Sequence, residues 1–228
     1  MTGKAYQYIG NGVYSIKEAS KYIGLPPQRL RYWYFGRPDK RSKKPIVPPS
    51  YQPVENKYSI SFYDLIDAYV VAFLLNKGVK RKTIRSAYTT MQKDLNRKHP
   101  FCYSKIMTDG MKIFSETANQ FDDSQLYEII NNQNYFNELK YKLDVLDYDP
   151  RNHIVFQWNI FDGVTINPKI SFGKPVILHT GTTTYVVARA YHANNQDENL
   201  VAELYQIKPI EVLNAVRFEN HYLTERAA

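Results

Sequence analysis

The chain has 228 residues, 43% of them hydrophobic and 23% charged, the proportions of a globular protein with enough material for two compact units. No apolar stretch reaches the roughly 20 residues of a membrane span, no basic-then-apolar leader opens the chain, and the single Cys102 excludes an internal disulfide and a thiolate zinc cluster; a cytoplasmic protein is expected. The net charge of +8 is uneven: residues 1–100 hold 19 Lys and Arg against 6 Asp and Glu, and the remainder holds 11 against 16, which suits a polyanion-binding head on a differently employed body.

Ser15 with Glu18 reads as a capping box that opens a helix over 16–23, with Ile16, Ala19, Ser20 and Ile23 on one face. Gly24 ends it, Leu25 turns inward, and Pro26-Pro27 starts a second helix through Phe35. Two short helices around a tight Gly-containing turn make a helix-turn-helix pattern. Residues 36–57 carry prolines at 38, 45, 48, 49 and 53 and the cations Lys40, Arg41, Lys43 and Lys44, so they read as an extended wing. Tyr58-Ser59-Ile60 is its returning strand. Ser61 with Asp64 caps a helix stopped by Gly78, and a further helix covers about 82–97.

His99-Pro100 marks a boundary in the sequence. Asp109-Gly110, between two short apolar runs, predicts a hairpin. Alternation at Leu139, Tyr141, Leu143 and Val145 favours a strand, with a helix over 133–146 as the alternative; His153 to Ile160 is β-rich. After an extended segment over 166–179 and a turn at Gly181, helices are predicted near 183–193, 197–205 and 209–222. The expected fold is mainly α with small β elements. Residues 1–100 form a winged helix-turn-helix, 101–164 a small α/β connecting region, and 165–228 a three-helix module that itself holds a helix-turn-helix pattern.

In a helix-turn-helix the second helix puts its N-terminal side chains on base edges in the major groove. Here it offers Gln28, Arg29, Arg31 and Tyr32, and Gln and Arg carry the donor and acceptor sets that pair with adenine and guanine. Lys40, Arg41, Lys43, Lys44 and Lys57 would neutralise phosphate from the wing. Operator DNA bound by a symmetric dimer is the expectation.

Residues 14–33 and 58–88, and most specifically the string Leu30-Arg31-Tyr32-Trp33 and the Tyr58-Ser59 opening, resemble the MerR-like winged helix-turn-helix. That resemblance implies that Arg31 and Tyr32 face DNA. Residues 166–219 resemble the small antitoxin domain of VapB-type proteins through Asn167-Pro168, Gly173-Lys174-Pro175-Val176, Thr180-Gly181-Thr182, Val201-Ala202 and a final helix with Ala215, Val216 and Glu219. Together the two resemblances describe an antitoxin with its own DNA-binding head, partnered by a PIN-like ribonuclease toxin. Such toxins hold a metal with carboxylates, so the module's cations Lys174, Arg189 and Arg217, with Tyr185, Tyr191 and Tyr222 as anchors, become the candidate partner surface. A second DNA reader in this module is the alternative; its negative balance favours oligomerisation or partner binding.

No enzyme is expected. The histidines at 99, 153, 179, 192 and 221 show no metal-ligand spacing, Cys102 has no evident basic partner, and no phosphate-binding glycine loop is present. Asp122, Asp123, Asp147 and Asp149 read as caps and turn formers rather than as a magnesium site, and neither metal nor cofactor is expected. Two rival functions remain: a ligand-responsive regulator whose aromatic middle (Phe101, Tyr103, Phe114, Tyr135, Phe136, Phe156, Trp158) encloses an effector, and a protein-interaction adaptor.

Overall fold

A computed structural model describes residues 10–36 and 45–224. The chain is mainly helical with small antiparallel sheets, and its described residues divide into two compact units, one over 14–155 and the other from Phe156 onward. No helix among the described residues is long and apolar enough to cross a membrane.

In the first unit, strand β1 (Tyr14–Ser15) leads into helix α1 (Ile16–Ile23), whose N-terminus is closed by the reciprocal Ser15 and Glu18 capping box. Gly24 ends α1 at φ 72°, a conformation that costs a side-chain-bearing residue, and helix α2 (Pro27–Phe35) starts three residues later. Strand β2 (Ser59–Ile60) pairs antiparallel with β1, so the chain returning from residues 45–57 is fastened beside the start of α1. Helix α3 (Phe62–Asn76) is buried on nearly every face and forms the axis of the unit; apart from Asp64 and Asp67 its buried positions are apolar all round, as suits a central helix. Helix α4 (Arg81–Asp94) buries Ile84, Ala87, Tyr88 and Met91.

Of the described residues of the predicted wing, 45–57, only part is a projecting loop. Ile46, Val47 and Tyr51 are buried, and the Ile46 N–H donates to the Trp33 carbonyl at 2.8 Å, so residues 46–51 form a strap laid on the core. Pro48 and Pro49 keep it extended without needing amide partners. The projecting part among the described residues is a tight hairpin, in which Val54 and Lys57 exchange backbone bonds of 3.1 and 2.8 Å across Glu55 and Asn56, both at positive φ.

The chain passes residue 100 without leaving this unit. Phe101 and Cys102, in a 3-10 turn (Pro100–Cys102), are fully buried, with the Phe101 ring 5.1 Å from that of Tyr88. The hairpin predicted at Asp109-Gly110 is instead the start of helix α5 (Asp109–Phe121). Gly110 is there for close packing: a Cβ at that position would lie 3.1 Å from Ile106 and 3.2 Å from Met91. Helices α6 (Ser124–Asn131) and α7 (Gln133–Asp144) follow, so the strand reading of 139–145 gives way to the helical one. Leu139 and Leu143, four apart, point inward while Tyr141 between them is 71% exposed, which is helical rather than strand periodicity. The connecting region is therefore largely helical, with strand β3 (Leu146–Tyr148) at its end.

In the second unit, strands β4 (Val155–Phe161), β5 (Val164–Ile166) and β6 (Val176–Ile177) make an antiparallel meander. Helices α8 (Thr184–Ala193), α9 (Glu198–Tyr205) and α10 (Pro209–Thr224) enclose a core of Ile177, Val187, Val201, Ala202, Val212 and Ala215. Asp197 caps α9 by accepting from the Asn199 and Leu200 amides, both at 3.0 Å.

Candidate functional site

Helix α2 has a divided surface. Leu30, Trp33 and Tyr34 are buried against the core, and Tyr34 donates to the Asp64 carbonyl, which fixes the helix on α3. Gln28 and Arg29, in its first turn, are exposed. The Gln28 amide donates to the Tyr32 hydroxyl at 2.7 Å, and the Arg29 guanidinium sits 5.7 Å from the centre of the Trp33 ring. Arg31 is half-buried: it stacks 4.3 Å over the Tyr58 ring and donates to the Tyr58 hydroxyl at 2.9 Å, while its Nε is buried with no hydrogen-bond partner. Arg31 thus couples α2 to the strand returning from the hairpin. Lys57 is exposed at the hairpin base; Lys40, Arg41, Lys43 and Lys44 lie outside the described residues.

The predicted partner residues fall into two groups. Lys174, Tyr185, Arg189 and Arg217 are exposed, with Arg189 donating to the Tyr185 hydroxyl at 3.1 Å and Arg217 to Asn214 at 3.4 Å. Tyr191 and Tyr222 are half-buried. Tyr191 packs against the module core, and the Tyr222 ring lies 4.7 Å from that of Phe218, so both serve packing. Phe172, Leu204 and Ile210 are exposed apolar side chains of the same module, at 86%, 61% and 50%, which sequence periodicity did not single out. Residues 164–218 match DUF433, a family of proteins of unknown function. The DUF433 segment spans β5 to α10, and the whole three-helix core lies inside it. Across both units the chain is similar to the crystal structure of Rv2018 from Mycobacterium tuberculosis, at 19% identity, covering 89% of this chain and 96% of that one with a TM-score of 0.72. At that identity the likeness speaks for the fold. No curated protein matches the sequence.

A cluster that the sequence reading missed lies inside the first unit. Asp64 and Asp67 on α3 are buried at 0% and 1%, and His99 lies beside them. His99 Nδ1 is 2.7 Å from Asp67 Oδ2, and His99 Nε2 is 3.1 Å from Ser50 Oγ on the strap. Asp64 accepts from the Ser61 amide at 2.8 Å and from the Ser50 amide and hydroxyl at 3.1 Å. Asp67 also accepts from Tyr88 at 2.8 Å. Asp64, Asp67 and His99 each bring one ligand-type atom within 4.8 Å of the others, yet protein donors already occupy their oxygens, so the arrangement is a hydrogen-bonded brace rather than an open metal cage. The signal for it in the sequence was the i, i+3 spacing of two Asp on an otherwise apolar helix, where each needs a partner.

Proposed function

We propose that this protein is a DNA-binding antitoxin that represses its own operon and neutralises a PIN-like ribonuclease. In this reading α1 and α2 are a MerR-like helix-turn-helix, α2 enters the major groove, and the hairpin after the strap is the wing. The observation that carries it is the divided surface of α2, whose core-facing side is fixed by Leu30, Trp33 and Tyr34 while Gln28 and Arg29 are exposed in its first turn. The basic excess of residues 1–100 lies on the same half of the chain. Aromatic residues at 101 and 114 are fully buried core, which favours this reading over an effector pocket among them. The antitoxin role rests on the likeness of residues 166–219 to the VapB-type domain, with Lys174, Tyr185, Arg189 and Arg217 offered at the surface.

The test uses the full chain, because a cut at residue 100 would open the core around Phe101. Mobility shifts on the DNA upstream of its own gene should show preference over random duplex. Gln28→Ala with Arg29→Ala should remove about 1–3 kcal/mol of that preference without changing the melting temperature. No preference in the unaltered protein rejects the DNA reading. Copurification with the product of the neighbouring gene, lost on Tyr185→Ala with Arg189→Ala, tests the partner; an unaffected complex moves the partner surface elsewhere.

A further inference from the structure

We propose that His99 is a proton-operated latch that holds the strap 46–51 on helix α3, closed when the imidazole carries both ring protons and released when it loses one. The geometry is a chain with a direction. His99 Nε2 lies 3.1 Å from Ser50 Oγ, Ser50 Oγ lies 3.1 Å from Asp64 Oδ1, and the Ser50 amide donates to Asp64 Oδ2 at 3.1 Å. At the other end of the ring, Nδ1 meets Asp67 Oδ2 at 2.7 Å.

Counting protons shows why the ring's state matters. A serine hydroxyl has one hydrogen to give. With an imidazolium, Nδ1–H donates to Asp67, Nε2–H donates to Ser50, and Ser50 passes its own hydrogen to Asp64, so every group is matched. Burial raises the Asp67 pKa above the ordinary carboxylate value, against the lowering charge and hydrogen bond of His99 and the hydrogen bond of Tyr88; with Asp67 ionised and the ring neutral, the remaining proton stays on Nδ1, where that carboxylate accepts it. Nε2 is then an acceptor, and the Ser50 hydroxyl must either leave Asp64 or turn a lone pair toward another lone pair, so that of Ser50 only the amide still donates to that carboxylate. The same loss leaves Asp64 and Asp67, both enclosed, without the cation between them.

The groups facing His99 come from every element around it. Tyr63 of α3 stacks on the ring at 5.6 Å, Tyr88 of α4 and Cys102 of the 3-10 turn both reach Asp67, and Tyr34 of α2 reaches the Asp64 backbone. Burial first, and the neighbouring acidic groups second, push the Tyr34, Tyr88 and Cys102 protons up; burial and then Cys102 raise Tyr63. All four therefore hold their protons to higher pH than the free groups do. For His99, burial pulls the pKa down, but the charge and hydrogen bond of Asp67 and then the charge of Asp64 outweigh it against an opposing Lys98, and the result is raised. A group raised on folding gives its full contribution below the unfolded value, about 6.5 for histidine, and loses it as the pH rises through the folded value. The strap is therefore released on the alkaline side of that value.

Amide hydrogen exchange on the full chain, corrected for intrinsic rates, reads the latch directly. The protection factor of the Ser50 amide should be flat at acid pH and then fall by up to tenfold per pH unit above the His99 pKa, as one linked proton requires, while the Ile84 amide of α4 stays constant. His99→Gln should show low, pH-independent protection at Ser50. Ring-proton or ring-nitrogen NMR of the unaltered protein gives the His99 pKa whether or not that variant folds. A value at or below 6.5, Ser50 protection that is unchanged from pH 6 to 9, or wild-type protection retained in His99→Gln overturns the proposal.

Discussion

Arg31 has two duties in the proposed complex, and they can be separated by measurement. Its guanidinium lies over Tyr58 and donates to that ring's hydroxyl, so truncation removes packing as well as a charge. Arg31→Ala is expected to lower both DNA affinity and thermal stability, unlike the exposed Gln28 and Arg29, whose loss should affect affinity alone. Asp123 offers a cleaner residue-scale test. Its carboxylate caps α6 through the Leu126 amide and also accepts from the Lys80 amide and the Thr83 hydroxyl at 3.0 and 2.6 Å. Burial would raise its pKa, but the hydrogen bonds from Thr83, Lys80 and Leu126 outweigh that and hold it below the usual carboxylate range. A group depressed on folding stabilises above its unfolded value, near pH 4, and loses that contribution as the pH falls through the folded value. Asp123→Ala should cost about 1–3 kcal/mol at neutral pH by leaving buried donors unmatched. Urea melts from pH 7 to 3 should show the gap between the two proteins closing only at the acid end.

At the scale of elements, Asp123 also braces the start of α4, where Lys80 before the first turn supplies no capping side chain of its own: it takes the Lys80 amide and the Thr83 hydroxyl. The tie comes from a residue 43 positions after Lys80, and no local rule would find it. Elements with local signals were legible: the capping boxes at Ser15 and Ser61, the left-handed Gly24 and the apolar period of the helices appear as read, although the helix expected over about 82–97 ends at Asp94. The three final helices also lie where they were placed. Misreadings arose where a residue type has two uses. Gly110 looked like a turn former and is a close-packing helical glycine, so Gly110→Val is expected to cost about 1–3 kcal/mol through overpacking against Ile106 and Met91, measured by denaturant melts. The prolines at 48 and 49 looked like those of a free wing and belong to a strap whose flanking Val47 and Tyr51 are core. At the candidate interface, Gln28 and Arg29 could be assigned by helical phase, whereas the tie between Arg31 and Tyr58 and the brace of Ser50, Asp67 and His99 depend on contacts between distant segments.

On the scale of the whole molecule, the two units are distinguished by what their cores contain. The second unit's core cluster is aliphatic, with half-buried tyrosines packed on it. The first has a central helix carrying two buried carboxylates, and just beyond them lies the chain's only cysteine. Cys102 is fully buried, its Sγ is 3.3 Å from the Tyr63 carbonyl, and burial first, then Asp67 and Asp64, push its thiol pKa well up. A protonated, enclosed thiol does not attack a disulfide reagent. One such reagent therefore becomes a counter of core openings: each coloured product ion released marks a molecule whose first unit has come apart at least once, while the second unit contributes nothing to the signal. The labelling rate should be slow in native buffer and rise with urea in step with the loss of helical signal from residues 14–155. A rapid, urea-independent reaction would place Cys102 outside the core.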